Sequence, residues 1–111
     1  MLVAHSQGNL FVNRAYDDLL ASRSGVVAQV VHVAPASPTL RGEYTLADID
    51  VVINGLRATG MNSVPTISIS LPFSSSDRSG HSFEPTYLDK SRAADANIRQ
   101  KLEASLNALT Q

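Results

Sequence analysis

The chain has no cysteine and no tryptophan, and only 5% of its residues are aromatic. Without cysteine it can form no disulfide, no thiolate metal site and no cysteine nucleophile, so covalent chemistry must use oxygen or nitrogen. Neither sign of charge dominates: nine Lys and Arg stand against ten Asp and Glu, a formal net charge of −1 with a pI near 6.2. The basic footprint needed for nucleic acid or an anionic membrane surface is missing, so no nucleic-acid partner is expected. No apolar run approaches the roughly 20 residues that span a bilayer, and the first residues lack the basic region and apolar stretch of a signal peptide. A soluble chain is expected, cytoplasmic if Met1 is the true start, with localisation otherwise unknown. What is present is ordinary globular composition, 43% hydrophobic and 17% charged over 111 residues. That is enough for one domain, residues 1–111, with a modest core.

Leu2-Val3-Ala4 is a short apolar stub. After Gly8-Asn9, apolar residues recur at Phe11, Ala15, Leu19 and at Val12, Tyr16, Leu20, two rows stepping by four that predict a helix. Asn13, Arg14, Asp17 and Asp18 fall on its other side, and Ser22-Arg23-Ser24-Gly25 supplies a stop. Val26 to Ala34 is almost continuously apolar and β-branched, the pattern of a parallel strand covered on both faces. Strand, helix and strand in this order predict a βαβ unit and hence an α/β fold with a parallel sheet.

Pro35 and Pro38 end the second strand, leaving 36–47 as a loop with a short extended piece around Tyr44-Thr45. Ile49, Val52, Ile53 and Leu56 predict a short helix that follows Asp48 or Asp50 and ends near Gly60. The near-alternation of Val64, Ile67, Ile69 and Leu71 predicts an edge strand with one covered face. Ser74 to Gly80 is polar and reads as a mobile loop, and Ala94, Ile98, Leu102, Leu106 and Leu109 predict a closing helix from about Asp89 to Leu109.

The chemistry concentrates in Ala4-His5-Ser6-Gln7-Gly8. A serine hydroxyl is a weak nucleophile until a base takes its proton, and it must project where a substrate carbonyl can approach. A sharp strand-to-helix turn exposes it. That turn brings the residues two before and two after the serine together, so both must be small, as Ala4 and Gly8 are. The following helix directs free N–H groups at the site, and the Gln7 N–H is the expected oxyanion donor.

The base must be one of three histidines. His5 adjoins Ser6, so the turn points it elsewhere and it is expected to pack near the site; His32 lies inside an apolar strand and reads as a satisfied core histidine. His81, behind Gly80 and ahead of the closing helix, is the candidate base. Asp48, Asp50 and Asp77 are available to orient it. Asp50 opens the short helix and is favoured; Asp48 is the alternative, which would leave Asp50 as a helix cap. Asp77 reads as a solvated loop residue. Three scattered histidines make a poor ligand set, so no metal is expected, and serine chemistry requires no cofactor.

Three stretches, Leu2 to Leu10, Tyr44-Thr45 to Ile53, and Gly80-His81-Ser82-Phe83 to Tyr87-Leu88, resemble the α/β-hydrolase family, and within it bacterial lipase and esterase-type proteins. The resemblance implies a three-layer αβα fold in which Ser6 matches the nucleophile, Asp50 the acid, His81 the base and Gln7 the oxyanion-hole residue. It also implies that this chain is the C-terminal half of that fold, with the N-terminal strands absent. The expected activity is hydrolysis of a small-molecule or lipid ester through an acyl-enzyme. The alternatives are a catalytically silent truncated fragment, or an interaction module whose open sheet edge is completed by a partner chain.

Overall fold

A computed structural model describes residues 1–22, 25–59 and 64–109. The elements are β1 (Leu2–His5), α1 (Gly8–Ser22), β2 (Val30–Val33), β3 (Glu43–Thr45), α2 (Val51–Ala58), a π-helical turn (Phe83–Tyr87) and α3 (Ala93–Leu109). The strands form one parallel sheet in the order β1-β2-β3. Ala4 lies opposite His32 and His32 opposite Tyr44, so β1-α1-β2 is the expected βαβ unit.

Both faces of the sheet are covered. His32 and Val33 are neighbours on β2 and therefore point to opposite sides. His32 meets Asn9 of α1, whereas Val33 belongs to the apolar cluster that contains Ala94 and Ile98 of α3. That cluster also takes in Leu46, Ala47, Ile53, Leu71 and Tyr87. Each fully buried large side chain contributes about 1.5–3 kcal/mol of transfer free energy, so the stability of the chain is concentrated on the α3 side.

The α1 side is built differently from the expectation. The helix forms, but the residues it buries are Asn9, Val12 and Asn13, while Phe11 remains 77% exposed. The cause is what lies beneath it. His32 and the loop at 37–41 offer polar partners, and Asn13 donates to Ser37 Oγ and to the Thr39 carbonyl. Arg23 and Ser24 of the expected stop lie outside the described residues, but Gly25 does adopt φ of 81°, as a left-handed cap requires.

Two further elements are shorter than their sequence pattern. The ladder between β1 and β2 runs from Leu2 and Val30 to His5 and Val33, so Val26 to Ala28 stand outside it although they are apolar. The expected edge strand at 64–71 is reduced to one bridge between Ala47 and Ile69. Ser68 explains this. Its hydroxyl accepts the Leu46 N–H at 2.8 Å, while the Ser68 and Ile69 N–H groups both donate to the Leu46 carbonyl. A side chain has taken the place of a backbone acceptor, and the ladder stops. Of Asp48 and Asp50, it is Asp50 that caps the short helix α2; Gly60, its expected end, lies outside the described residues. Among the described residues no helix is long and apolar enough to cross a membrane.

Candidate functional site

Ser6 sits on the turn between β1 and α1 with φ of 57°, a left-handed conformation that is costly for a residue with a Cβ. The surrounding backbone holds it there. Its N–H continues the sheet by donating to the Val33 carbonyl at 3.1 Å. Its carbonyl collects three donors: Asn9 N–H at 3.1 Å, Asn9 Nδ2 at 2.8 Å and Ala36 N–H at 3.2 Å. Gly8 then comes round to face Ala4 closely enough that a methyl added at Gly8 would lie 3.8 Å from the Ala4 Cβ. The two small residues meet as the motif requires. The Gln7 N–H, at the mouth of α1, makes no hydrogen bond among the described residues.

Asn9 belongs to a longer polar chain behind the turn. It is fully buried, and its Nδ2 also donates to the Val33 carbonyl at 3.1 Å. His32 Nδ1 donates to Asn9 Oδ1 at 2.8 Å, because His32 Nε2 is occupied in accepting the Arg41 N–H at 2.9 Å. Only the neutral ring with hydrogen on Nδ1 satisfies both bonds. Burial, with a smaller contribution from Arg41, accordingly lowers the His32 pKa to about 4. His32 is the satisfied core histidine that its position in an apolar strand suggests.

The histidine expected to serve as base does reach the serine. His81 Nε2 lies 2.8 Å from Ser6 Oγ, and His81 Nδ1 lies 3.0 and 3.1 Å from the two carboxylate oxygens of Asp50. With Nδ1–H donating to Asp50, Nε2 is left to accept from the serine hydroxyl. The Asp50 side chain is fully buried and that of His81 is 16% exposed, so the carboxylate is sealed and the imidazole open to a ligand.

Asp50, and not Asp48, is the partner of His81. Asp50 is also the cap of α2, accepting the Ile53 N–H at 3.0 Å on Oδ1, so one carboxylate performs both tasks that the sequence divided between two residues. Asp48 is exposed and accepts from Ser70 Oγ and the Leu71 N–H, which lower its pKa.

The loop that carries His81 corrects a sequence expectation. Asp77 is not solvated but only 8% exposed, and residues 74–80 form hydrogen-bonded turns. Its Oδ1 accepts the Ser79 N–H and Oγ–H, and its Oδ2 accepts the Ser82 N–H at 2.8 Å and the Thr86 hydroxyl at 2.6 Å. Burial alone would raise its pKa, but these donors outweigh burial and lower it to about 2. The donors at Ser79 and Ser82 bracket His81. Gly80 between them has φ of 62°, and a Cβ there would stand 2.2 Å from the Ile49 carbonyl oxygen. The Ser79 carbonyl accepts the Val51 N–H at 2.9 Å, which joins the loop to the start of α2 beside Asp50.

Two more residues touch the site without having been singled out as members of it. His5 Nε2 donates to the His81 carbonyl at 2.7 Å, and its ring stacks on Phe83 with centroids 5.1 Å apart. Burial is the main cause of its lowered pKa. Tyr87 is wholly buried and its hydroxyl donates to Asp50 Oδ2 at 2.6 Å. The sequence carried a usable signal for Asp77, since Asp-x-Ser is the spacing of a side chain that accepts the N–H two residues on. It carried none for Tyr87, whose partner is 37 residues away.

Among the described residues no cluster of three His, Cys, Asp or Glu side chains could hold a metal ion. An open cleft of about 380 Å³ lies elsewhere, beside α3, lined by Leu88, Asp95, Ile98, Arg99 and Leu102. No family model, curated protein or solved structure matches the chain.

Proposed function

We propose that this chain is a serine hydrolase of the α/β-hydrolase type that cleaves a carboxylic ester. The observation that carries this reading is the continuous bond chain from Ser6 Oγ through His81 to Asp50, with Ser6 on a left-handed strand-to-helix turn. The elements from β1 to α3 correspond in this reading to the C-terminal half of a three-layer αβα hydrolase fold.

In the reaction Ser6 Oγ attacks the ester carbonyl while His81 Nε2 takes its proton. Negative charge develops on the carbonyl oxygen, which the Gln7 N–H and the positive end of α1 stabilise; one such donor is worth on the order of 10² to 10³ in rate. His81 returns the proton to the departing alkoxide, leaving an acyl group on Ser6. Water then attacks that ester with His81 again as base, and the acid and free Ser6 are released. Asp50 remains ionised throughout, holding the imidazole in the tautomer that presents Nε2 to the serine.

The test is reaction of the purified chain and of its Ser6→Ala variant with a fluorophosphonate. Labelling of the parent and none of the variant is expected. A folded parent that stays unlabelled over hours would remove the hydrolase reading. A second reading, an interaction module, is favoured by one observation: β1 pairs with β2 on one side only, so its outer edge is open among the described residues. Size measurement on the same samples separates the two, because a monomer that labels leaves no role for a partner chain in completing the sheet.

A further inference from the structure

We propose that Tyr87 is a positioning residue that fixes the orientation of the Asp50 carboxylate and sets how strongly that carboxylate attracts the proton on His81. The proposal rests on the hydrolase reading and names a fourth member of the same site.

Asp50 is wholly buried, and a buried carboxylate is stable only when its oxygens are supplied with donors. Oδ1 has the Ile53 N–H at 3.0 Å. Oδ2 has the Tyr87 hydroxyl at 2.6 Å, a short bond of the kind made to an ionised acceptor. The His81 Nδ1–H lies between the two oxygens. Tyr87 is itself fixed, because its oxygen accepts the Ala47 N–H at 3.1 Å, in the segment that runs from β3 to Asp50. Burial and the bond to Asp50 both raise the phenol pKa, so the hydroxyl remains protonated and can only donate toward the carboxylate.

The two donors on Oδ2 compete. Charge drawn toward the phenol is charge withheld from the imidazolium that forms when Ser6 gives up its proton. Removing the hydroxyl therefore strengthens the pull of Asp50 on a charged His81 while loosening the carboxylate's orientation. These effects separate in a measurement: the first moves a pH midpoint, the second lowers a rate. A side chain that merely filled space would change stability alone.

The titratable groups facing His81 are Asp50 before α2, Tyr87 on the π-helical turn and His5 on β1, with Asp77 interacting with Tyr87 from the same loop. The experiment follows the His81 ring by NMR across pH, with the resonance assigned by its loss in His81→Gln, in the parent and in Tyr87→Phe. The midpoint is expected to rise by about half a unit to one unit in Tyr87→Phe. The fluorophosphonate labelling rate above the midpoint is expected to fall about tenfold.

A second variant, 3-fluorotyrosine introduced at position 87, keeps the hydroxyl and its packing but makes it a stronger donor. It should move the midpoint down. An unmoved midpoint in either folded variant, or movement in the same direction in both, overturns the proposal. The titration needs no turnover, so it judges Tyr87 even where labelling fails; absence of labelling in a folded parent counts against the hydrolase reading instead.

Discussion

The turn that carries Ser6 and the loop that carries His81 deliver their side chains to the same 2.8 Å contact by opposite means. Ser6 is held by backbone: a left-handed φ, a sheet bond to Val33 and three donors on its carbonyl, one of them the next turn's Asn9 N–H. His81 is held largely by side chains, some from its own stretch of chain and others from distant parts of it. Asp77 fastens both its flanks, His5 holds its carbonyl across 76 residues, and the Asp50 that orients its ring is held by Tyr87. Ser6 is positioned by strain that neighbouring hydrogen bonds over-determine. His81 is positioned by many bonds, each worth only about 0.5–3 kcal/mol.

The comparison can be broken at three positions. Gly80→Ala should have the largest effect, because its Cβ would meet the Ile49 backbone at 2.2 and 2.6 Å in a conformation that already disfavours alanine. A loss on the order of 2 kcal/mol in urea unfolding and about a hundredfold fall in labelling rate are expected. Retention of the parent's rate would mean that the loop is not fixed at this approach.

Asp77→Asn should be intermediate. The amide would present a donor either to the Ser79 N–H and hydroxyl or to the Ser82 N–H and Thr86 hydroxyl, costing about 1–3 kcal/mol. The sign of its pH dependence follows from the folded pKa of about 2, which lies below the ordinary 3.8. Stabilisation by Asp77 is complete above the ordinary value and is lost as pH falls toward about 2. The parent should therefore lose its stability advantage over Asp77→Asn on acidification below about pH 4, read by thermal melting at a series of pH values. A difference independent of pH would show that the carboxylate's charge is not what the loop uses.

Gly8→Ala should do least. Its added methyl meets Ala4 at an ordinary contact distance of 3.8 Å, so stability should stay within about 0.5 kcal/mol of the parent. A loss as large as that of Gly80→Ala would erase the distinction between the two regions.

The same distinction governs what the sequence revealed. The strand-to-helix turn at Ser6 and Gly8 was legible because its pattern is written in five consecutive residues. The βαβ unit was legible from periodicity, as were α2 and α3, and His81 followed from its place behind Gly80 and before the closing helix. Tyr87 was not, since its role exists only when segments distant in sequence meet, and Asp77 was misread although its Asp-x-Ser spacing offered a local signal. The inward face of α1 was misjudged for a related reason: Asn13 falls on the polar side of the pattern until Ser37 and Thr39 stand opposite it with partners to offer. The strand at 64–71 was lost to a single serine hydroxyl that no alternation of apolar residues could foretell.

The π-helical turn sets a limit of another kind. His81 and Tyr87 grip the same carboxylate from the two ends of one short segment, and the wide turn closed by Leu88 N–H on the Phe83 carbonyl makes that span possible. In an α-helix each residue added or removed swings the following side chain by about 100°, and in the wider π-helical turn the swing is somewhat smaller but still carries a side chain off its face. The segment is thus a ruler. Phe83 and Thr86 within it are held by His5 and Asp77, and a change of one residue in its length would part the phenol from the carboxylate.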